Sequence, residues 1–272
     1  MTEPTEPTGA TEPTGATEPT GATEPIGPTE PARASEAVEI RGGVLLPARR
    51  RDVDLRTSDG LRLVGELSLP LDRPAVGTLV TLHPLPTAGG FMDSHVIRKA
   101  AARLPALADL AVLRFNFRGV SSPRGRSEGE FGEGIAEAAD LAAAVRFVHD
   151  EGLPTPWLVG WSFGTEVALK HGRQVESAGL VLLSPPLHRT SDDELEAWND
   201  VETPIVAVVP EFDDYLRPDE AARRFSVIPR ADVVPVEGGK HLWVGEKQTT
   251  RVLSEIVRRA APHALPLPAR WA

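Results

Sequence analysis

The sequence predicts an α/β domain: a mostly parallel central sheet with helices on both faces and an antiparallel hairpin on the N-terminal side. Three observations lead there. From Val76 onward, short apolar runs alternate with segments of helical spacing, the pattern of strands joined by crossover helices. Before them lie two stretches of alternating apolar and polar residues joined by Ser58-Asp59-Gly60, a hairpin with favoured turn chemistry. At Gly160-Trp161-Ser162-Phe163-Gly164 a strand-like run gives way to a helical one at a Ser with glycines two residues to either side. That pattern places a Ser on a sharp turn at the top of a sheet.

The hairpin consists of Val53–Thr57 and Leu61–Leu67. Val76–Leu82 is largely apolar, as a strand buried on both faces must be, and it ends at His83-Pro84. Val96–Leu107 has helical spacing, Ala111–Phe117 is the next strand, and Ala-rich Ile135–His149 the next helix. Trp157-Leu158-Val159 enters the Ser162 turn, and a helix containing Val167-Ala168-Leu169 leaves it. Strands follow at Leu180–Leu183, Ile205–Val209 and Val233–Val236, with helices near Glu220–Phe225 and from about Lys247 to Ala260. Ser184 to Thr203 has room for one short helix around Asp192–Trp198, so only a minimal cap and an open, shallow site are expected.

Residues 1–36 differ from the rest. Thr5-Glu6-Pro7-Thr8-Gly9-Ala10 recurs from Thr11 and from Thr17, and nothing more apolar than Ala occurs between Thr2 and Pro25. Such a segment cannot bury enough surface to offset its ordering entropy, so it is expected to be a disordered tail. The expected domain is 37–262, with 263–272 as a C-terminal tail. The leader carries seven Glu and one Arg, −6 of the formal −10, which leaves −4 on the rest of the chain. No basic face argues for nucleic acid. Without Cys, disulfides, thiolate metal sites and cysteine catalysis are excluded. No signal segment and no apolar run of about 18 residues is present, so a soluble, cytoplasmic protein is expected, with no membrane span.

A Ser between glycines arises by chance in roughly one chain in ten of this composition, so the other strand ends must supply partners. A nucleophilic Ser needs a base and a group that orients the base. In chains with this elbow they follow in the order Ser, acid, His. Pro210-Glu211-Phe212-Asp213-Asp214-Tyr215 is an acidic turn after one strand, and Glu237-Gly238-Gly239-Lys240-His241-Leu242-Trp243 carries a His after the next. Of the other histidines, His95, His149, His171 and His263 fall on or beside helices or in the tail, and His188 follows the wrong strand. The expected triad is Ser162, Asp213 and His241, with Asp214 and Glu211 as rival acids in the same turn. The backbone N–H of Phe163 would face a developing oxyanion. A second donor is expected after the strand ending at Leu82, where Pro84 and Pro86 have no N–H and leave Leu85. His83, Phe91, Trp161 and Trp243 are the expected substrate-binding wall, His83 as a packing or hydrogen-bonding member of it, and the three aromatic side chains are also readable as ordinary core packing. No metal and no cofactor is called for.

From His83 to Asp140 the chain resembles a bacterial, esterase-like branch of the α/β-hydrolase superfamily. The resemblance rests on His83-Pro84, Gly89-Gly90-Phe91-Met92, Arg114-Phe115-Asn116-Phe117-Arg118-Gly119, Ser127-Glu128-Gly129-Glu130-Phe131, Gly134 and Asp140. With Gly160–Gly164, Asp213 and His241 it spans about residues 53–260. It implies the α/β-hydrolase fold and a serine hydrolase mechanism without a shared substrate. Two departures stand out. The His-Pro-His-Pro of that branch reads His83-Pro84-Leu85-Pro86 here, and Pro210 replaces the Gly usual before the acidic turn. Neither removes a catalytic group. The expected partner is a small acyl substrate, an ester or a thioester, with a peptidase or a non-catalytic binding protein of the same fold as alternatives. Ser162 at the elbow argues against haloalkane or epoxide hydrolysis, which needs a carboxylate nucleophile.

Overall fold

The computed structural model describes residues 37–271; the repeat leader, residues 1–36, lies outside the described residues. Its central sheet has eight strands: β1 Arg49–Arg56, β2 Arg62–Leu69, β3 Gly77–Leu82, β4 Leu110–Phe115, β5 Pro156–Trp161, β6 Gly179–Leu183, β7 Ile205–Phe212 and β8 Ala231–Lys240. They lie in the order β8-β7-β6-β5-β3-β4-β2-β1. From β8 to β4 every pairing is parallel. The β1–β2 hairpin completes the sheet antiparallel, β2 pairing with β4.

Alternation along each strand sends side chains to two cores. Val80 and Leu82 of β3 and Leu113 and Phe115 of β4 face one core. Leu79, Leu110 and Val112 face the other. The first core is closed by α2 Glu137–Asp150, α3 Phe163–His171 and α5 Pro218–Phe225, and the second by α1 His95–Ala108 and α6 Glu246–Ala260. Each fully buried Leu contributes roughly 2 kcal/mol, so the two faces sandwich the sheet firmly.

Two elements differ from expectation. β8 continues through Glu237-Gly238-Gly239-Lys240, which reads as loop by composition, because β7 also runs on to Phe212 and pairs with Lys240 across a register shift. At the C-terminus, Leu265 and Leu267 pack against the second core, and Arg270–Trp271 pairs antiparallel with Val38–Glu39. Between β6 and β7 stand only α4 Asp192–Glu196 and a 3-10 turn, Ala197–Asp200. A capping box at Ser191 starts α4. Trp198, fully buried, donates from its indole to the Leu169 carbonyl at 2.9 Å. This segment is therefore pinned to the body of the domain by α3. Among the described residues no helix is long and apolar enough to cross a membrane.

Candidate active site

β5 delivers Ser162 at φ +52°, a positive value rare for a residue with a side chain, and α3 begins at the next residue. Two close approaches make this turn possible. A Cβ on Gly160 would lie 2.5 Å from the Gly164 carbonyl oxygen, and one on Gly164 would lie 2.1 Å from the Leu82 carbonyl oxygen. The first turn of α3 thus rides directly on the backbones of β3 and β5, where only glycine fits. Thr165 fastens the turn, its N–H and its hydroxyl both donating to the Ser162 carbonyl at 2.8 and 2.7 Å.

The ends of β7 and β8 bring the other two groups to this Ser. His241 Nε2 lies 2.9 Å from Ser162 Oγ, and its Nδ1 lies 2.9 and 3.1 Å from the two oxygens of Asp213. Asp213 is 3% exposed and His241 7%. Asp213 Oδ1 also accepts from the backbone N–H of Tyr215 at 2.9 Å, a turn that closes the carboxylate beneath the imidazole. The neighbouring Asp214 and Glu211 join no such chain: Asp214 is exposed, and Glu211 accepts from the Gly238 N–H at 2.8 Å. Above, the Tyr215 ring packs edgewise on His241, centroids 4.6 Å apart. Below, Trp161 Nε1 and Ser184 Oγ both donate to the His241 carbonyl at 3.2 Å.

A cleft of about 160 Å³ opens over Ser162, lined among others by Leu85, Trp161, Phe163, Tyr215, His241 and Leu242. Among the described residues neither the Leu85 nor the Phe163 N–H has a hydrogen-bond acceptor, so both are free to serve an oxygen bound there. Leu85 belongs to the loop His83–Asp93, and that loop is held by the Arg114–Arg118 stretch. Asn116 Oδ1 accepts from the Met92 N–H at 2.9 Å, Arg114 pairs with Asp93, and the Phe117 N–H donates to His83 Nε2 at 3.1 Å. Arg114 and Arg118 are fixed in turn by Glu66 at 2.8 Å and by Asp140 at 2.8 Å, both carboxylates being buried. In the sequence this stretch served only to carry the family resemblance; its bonds make it the scaffold of the His83–Asp93 loop.

The four expected wall residues separate. Trp161 does line the cleft. Phe91 lies in an adjacent cleft beside Arg118, Val120 and Phe131. His83 is fully buried with both ring nitrogens committed, Nδ1–H to the Pro84 carbonyl at 2.7 Å and Nε2 to Phe117. Burial pushes its pKa down to about 4, against the Pro84 bond that favours the charged ring. Trp243 requires correction: at 0% exposure it belongs to the core beneath α6, because the turn after Lys240 takes φ +52° at Trp243 and sends the indole inward. Tyr215, Glu166, His188 and Arg189 line the cleft without having been singled out. Glu166, one helical turn past Ser162, and Tyr215, two residues past Asp213, carried that signal in their spacing.

A family model described as alpha/beta hydrolase domain matches residues 79–266. An uncharacterized protein of Rickettsia prowazekii (strain Madrid E) is 32% identical over 120 residues, 42% of this chain. The match spans 48%, about half, of that relative's length. Among solved structures, a lidless α/β serine hydrolase of Xanthomonas campestris is 28% identical with a TM-score of 0.65, covering 80% of this chain and 98% of its own. An α/β serine hydrolase homologue of Coxiella burnetii is 25% identical at a TM-score of 0.65, covering 76% and 96%. An esterase of Pyrococcus furiosus shares the fold at 20% identity and a TM-score of 0.62, covering 78% and 93%.

Proposed function

The chain belongs to the alpha/beta hydrolase domain family, and on that premise we propose that it is a serine hydrolase of the esterase-like branch, cleaving an ester or thioester through Ser162, His241 and Asp213. One observation carries the reading: the unbroken contact chain from Ser162 Oγ through both nitrogens of His241 to Asp213. The Xanthomonas campestris and Coxiella burnetii relatives, both described as serine hydrolases or their homologues, support it.

The chemistry follows from the distances. Asp213 holds the proton of His241 on Nδ1, leaving Nε2 as the lone pair that receives the Ser162 proton. As Oγ bonds to the acyl carbon, the carbonyl oxygen gains charge and draws on the N–H groups of Leu85 and Phe163. His241 then passes the proton to the leaving alcohol or thiol as that bond breaks, leaving an acyl group on Ser162. Water enters by the same route in reverse, its proton to His241 and its oxygen to the acyl carbon, and Ser162 regains its hydrogen. No metal or redox group is needed. The open cleft, with only α4 and one 3-10 turn between β6 and β7, suits short acyl groups.

A fluorophosphonate probe tests this directly. It should label the intact protein at Ser162 and fail on Ser162→Ala. Absence of labelling in folded protein defeats the hydrolase reading. A chain-length series of matched esters and thioesters then sorts the two leaving groups, and a peptide series sets both against the peptidase alternative.

A further inference from the structure

Arg189 and Glu166 line the cleft but take no part in the chemistry above. Glu166 is fully buried, a costly place for a carboxylate. Its Oε1 accepts from the backbone N–H of Arg189, while Oε2 has no hydrogen-bond partner among the described residues. The nearest cation is the Arg189 guanidinium, with Nη1 at 3.6 Å from Oε2. That guanidinium also lies 5.8 Å above the centre of the Phe163 ring, a cation–π distance. It is thus tethered on two sides, by a buried charge and by an aromatic face.

Its donors, however, are unspent. Arg118 directs four hydrogen bonds at Asp59 and Asp140, whereas the Arg189 side chain is 35% exposed and its guanidinium's contact with Glu166 falls outside hydrogen-bond range. It is the one Lys or Arg among the cleft-lining residues. A guanidinium held in place with free donors, on a residue that lines the cleft beside the nucleophile, is suited to take a planar anion bidentately.

We propose that Arg189, positioned by Glu166 and Phe163, selects substrates that carry a carboxylate near the scissile carbonyl, that is, half-esters or half-thioesters of short dicarboxylic acids. This rests on the hydrolase reading. The reach follows from the cleft: Ser162 and Arg189 line the same small space of about 160 Å³. A space of that size takes only a short spacer between the scissile carbonyl and the carboxylate. Long acids do not fit that space, and neutral acyl groups leave the guanidinium's donors to water.

The experiment compares the phenyl half-ester of glutaric acid with phenyl pentanoate, equal in chain length and different in charge. Wild-type protein should favour the half-ester in kcat/KM. In Arg189→Ala that preference should fall about 10- to 100-fold, chiefly through KM, with Arg189→Lys retaining part of it; added salt should erode it in wild type. A purely structural role for Arg189 lowers both esters together and leaves their ratio unchanged, which overturns the proposal. So does a wild-type preference for the pentanoate. Binding of monoethyl glutarate to Ser162→Ala protein reads the same contact without turnover. Loss of that binding on adding Arg189→Ala supports the assignment even if neither ester is cleaved, and absence of binding to begin with sinks it. Failure of fluorophosphonate labelling, by contrast, strikes the hydrolase reading alone.

Discussion

The ends of β3 and β8 each present a histidine, His83 and His241, and the two are equipped for opposite purposes. Both are buried. His83 spends both nitrogens on backbone, Pro84 on one side and Phe117 on the other. His241 spends both on side chains, Asp213 and Ser162. Backbone partners cannot exchange a proton with the ring, so the first arrangement fixes a tautomer and stiffens a loop. A carboxylate on one side and a hydroxyl on the other give the second the partners of a route for a proton, the role proposed for it. Position at a strand end brings a histidine near the chemistry; the titratable or inert character of its partners decides its work.

The sharpest way to break this contrast is to remove each ring in turn. His241→Ala should lower kcat/KM on a short acyl ester by about 10⁴-fold or more, while His83→Gln, which keeps an acceptor for the Phe117 N–H, should cost about tenfold or less. Comparable losses would mean that His83 touches the reaction. At the other end of the relay, Asp213→Asn should cost about 10³- to 10⁴-fold by favouring the wrong imidazole tautomer. Asp214→Asn, with its side chain exposed, should stay within a few-fold. If the second substitution is the more damaging, the acid is misassigned.

A third region sharpens the comparison because it has no titratable group at all. The elbow depends on backbone contact, so Gly164→Ala drives a methyl into the Leu82 carbonyl at the end of β3. Neither backbone can yield cheaply, and unfolding in urea should show a loss of roughly 3 kcal/mol. A near-native midpoint would show that α3 is free to lift from the sheet.

These regions were not equally visible in sequence. The hairpin, the alternation of strands and helices and the order Ser162, Asp213, His241 are local signals: periodicity, turn residues and spacing along the chain. The eight-stranded sheet carries all of them. What spacing alone could not supply was the direction of a side chain after a turn. Trp243 follows His241 by two residues, yet a positive φ turns it into the core. Nor could it reveal partners far apart in sequence, such as Asn116 with Met92 or Glu166 with Arg189. The length of β8 was hidden for a related reason. Gly238-Gly239 reads as loop, and only pairing with β7 makes it strand.

A last prediction tests His83 through proton linkage rather than through activity. Its folded-state pKa is lowered from 6.5 to about 4 because burial excludes the charged ring. Above pH 6.5 the ring is neutral in both folded and unfolded chains, and it contributes no pH dependence. As pH falls below 6.5 the unfolded chain takes up a proton that the folded chain refuses, so stability drops with falling pH. The loss continues until about pH 4, where the folded ring also protonates, and it levels off below that. A displacement of this size corresponds to about 3 kcal/mol. Urea unfolding at intervals between pH 7 and pH 4 should therefore show a slope in wild type that is shallower in His83→Gln, which has nothing to titrate. The chain holds other titratable groups, so the difference between the two profiles, not the wild-type slope alone, isolates His83. Equal slopes would mean that the ring is charged within the fold, and the contrast between a structural and a proton-carrying histidine would lose its footing.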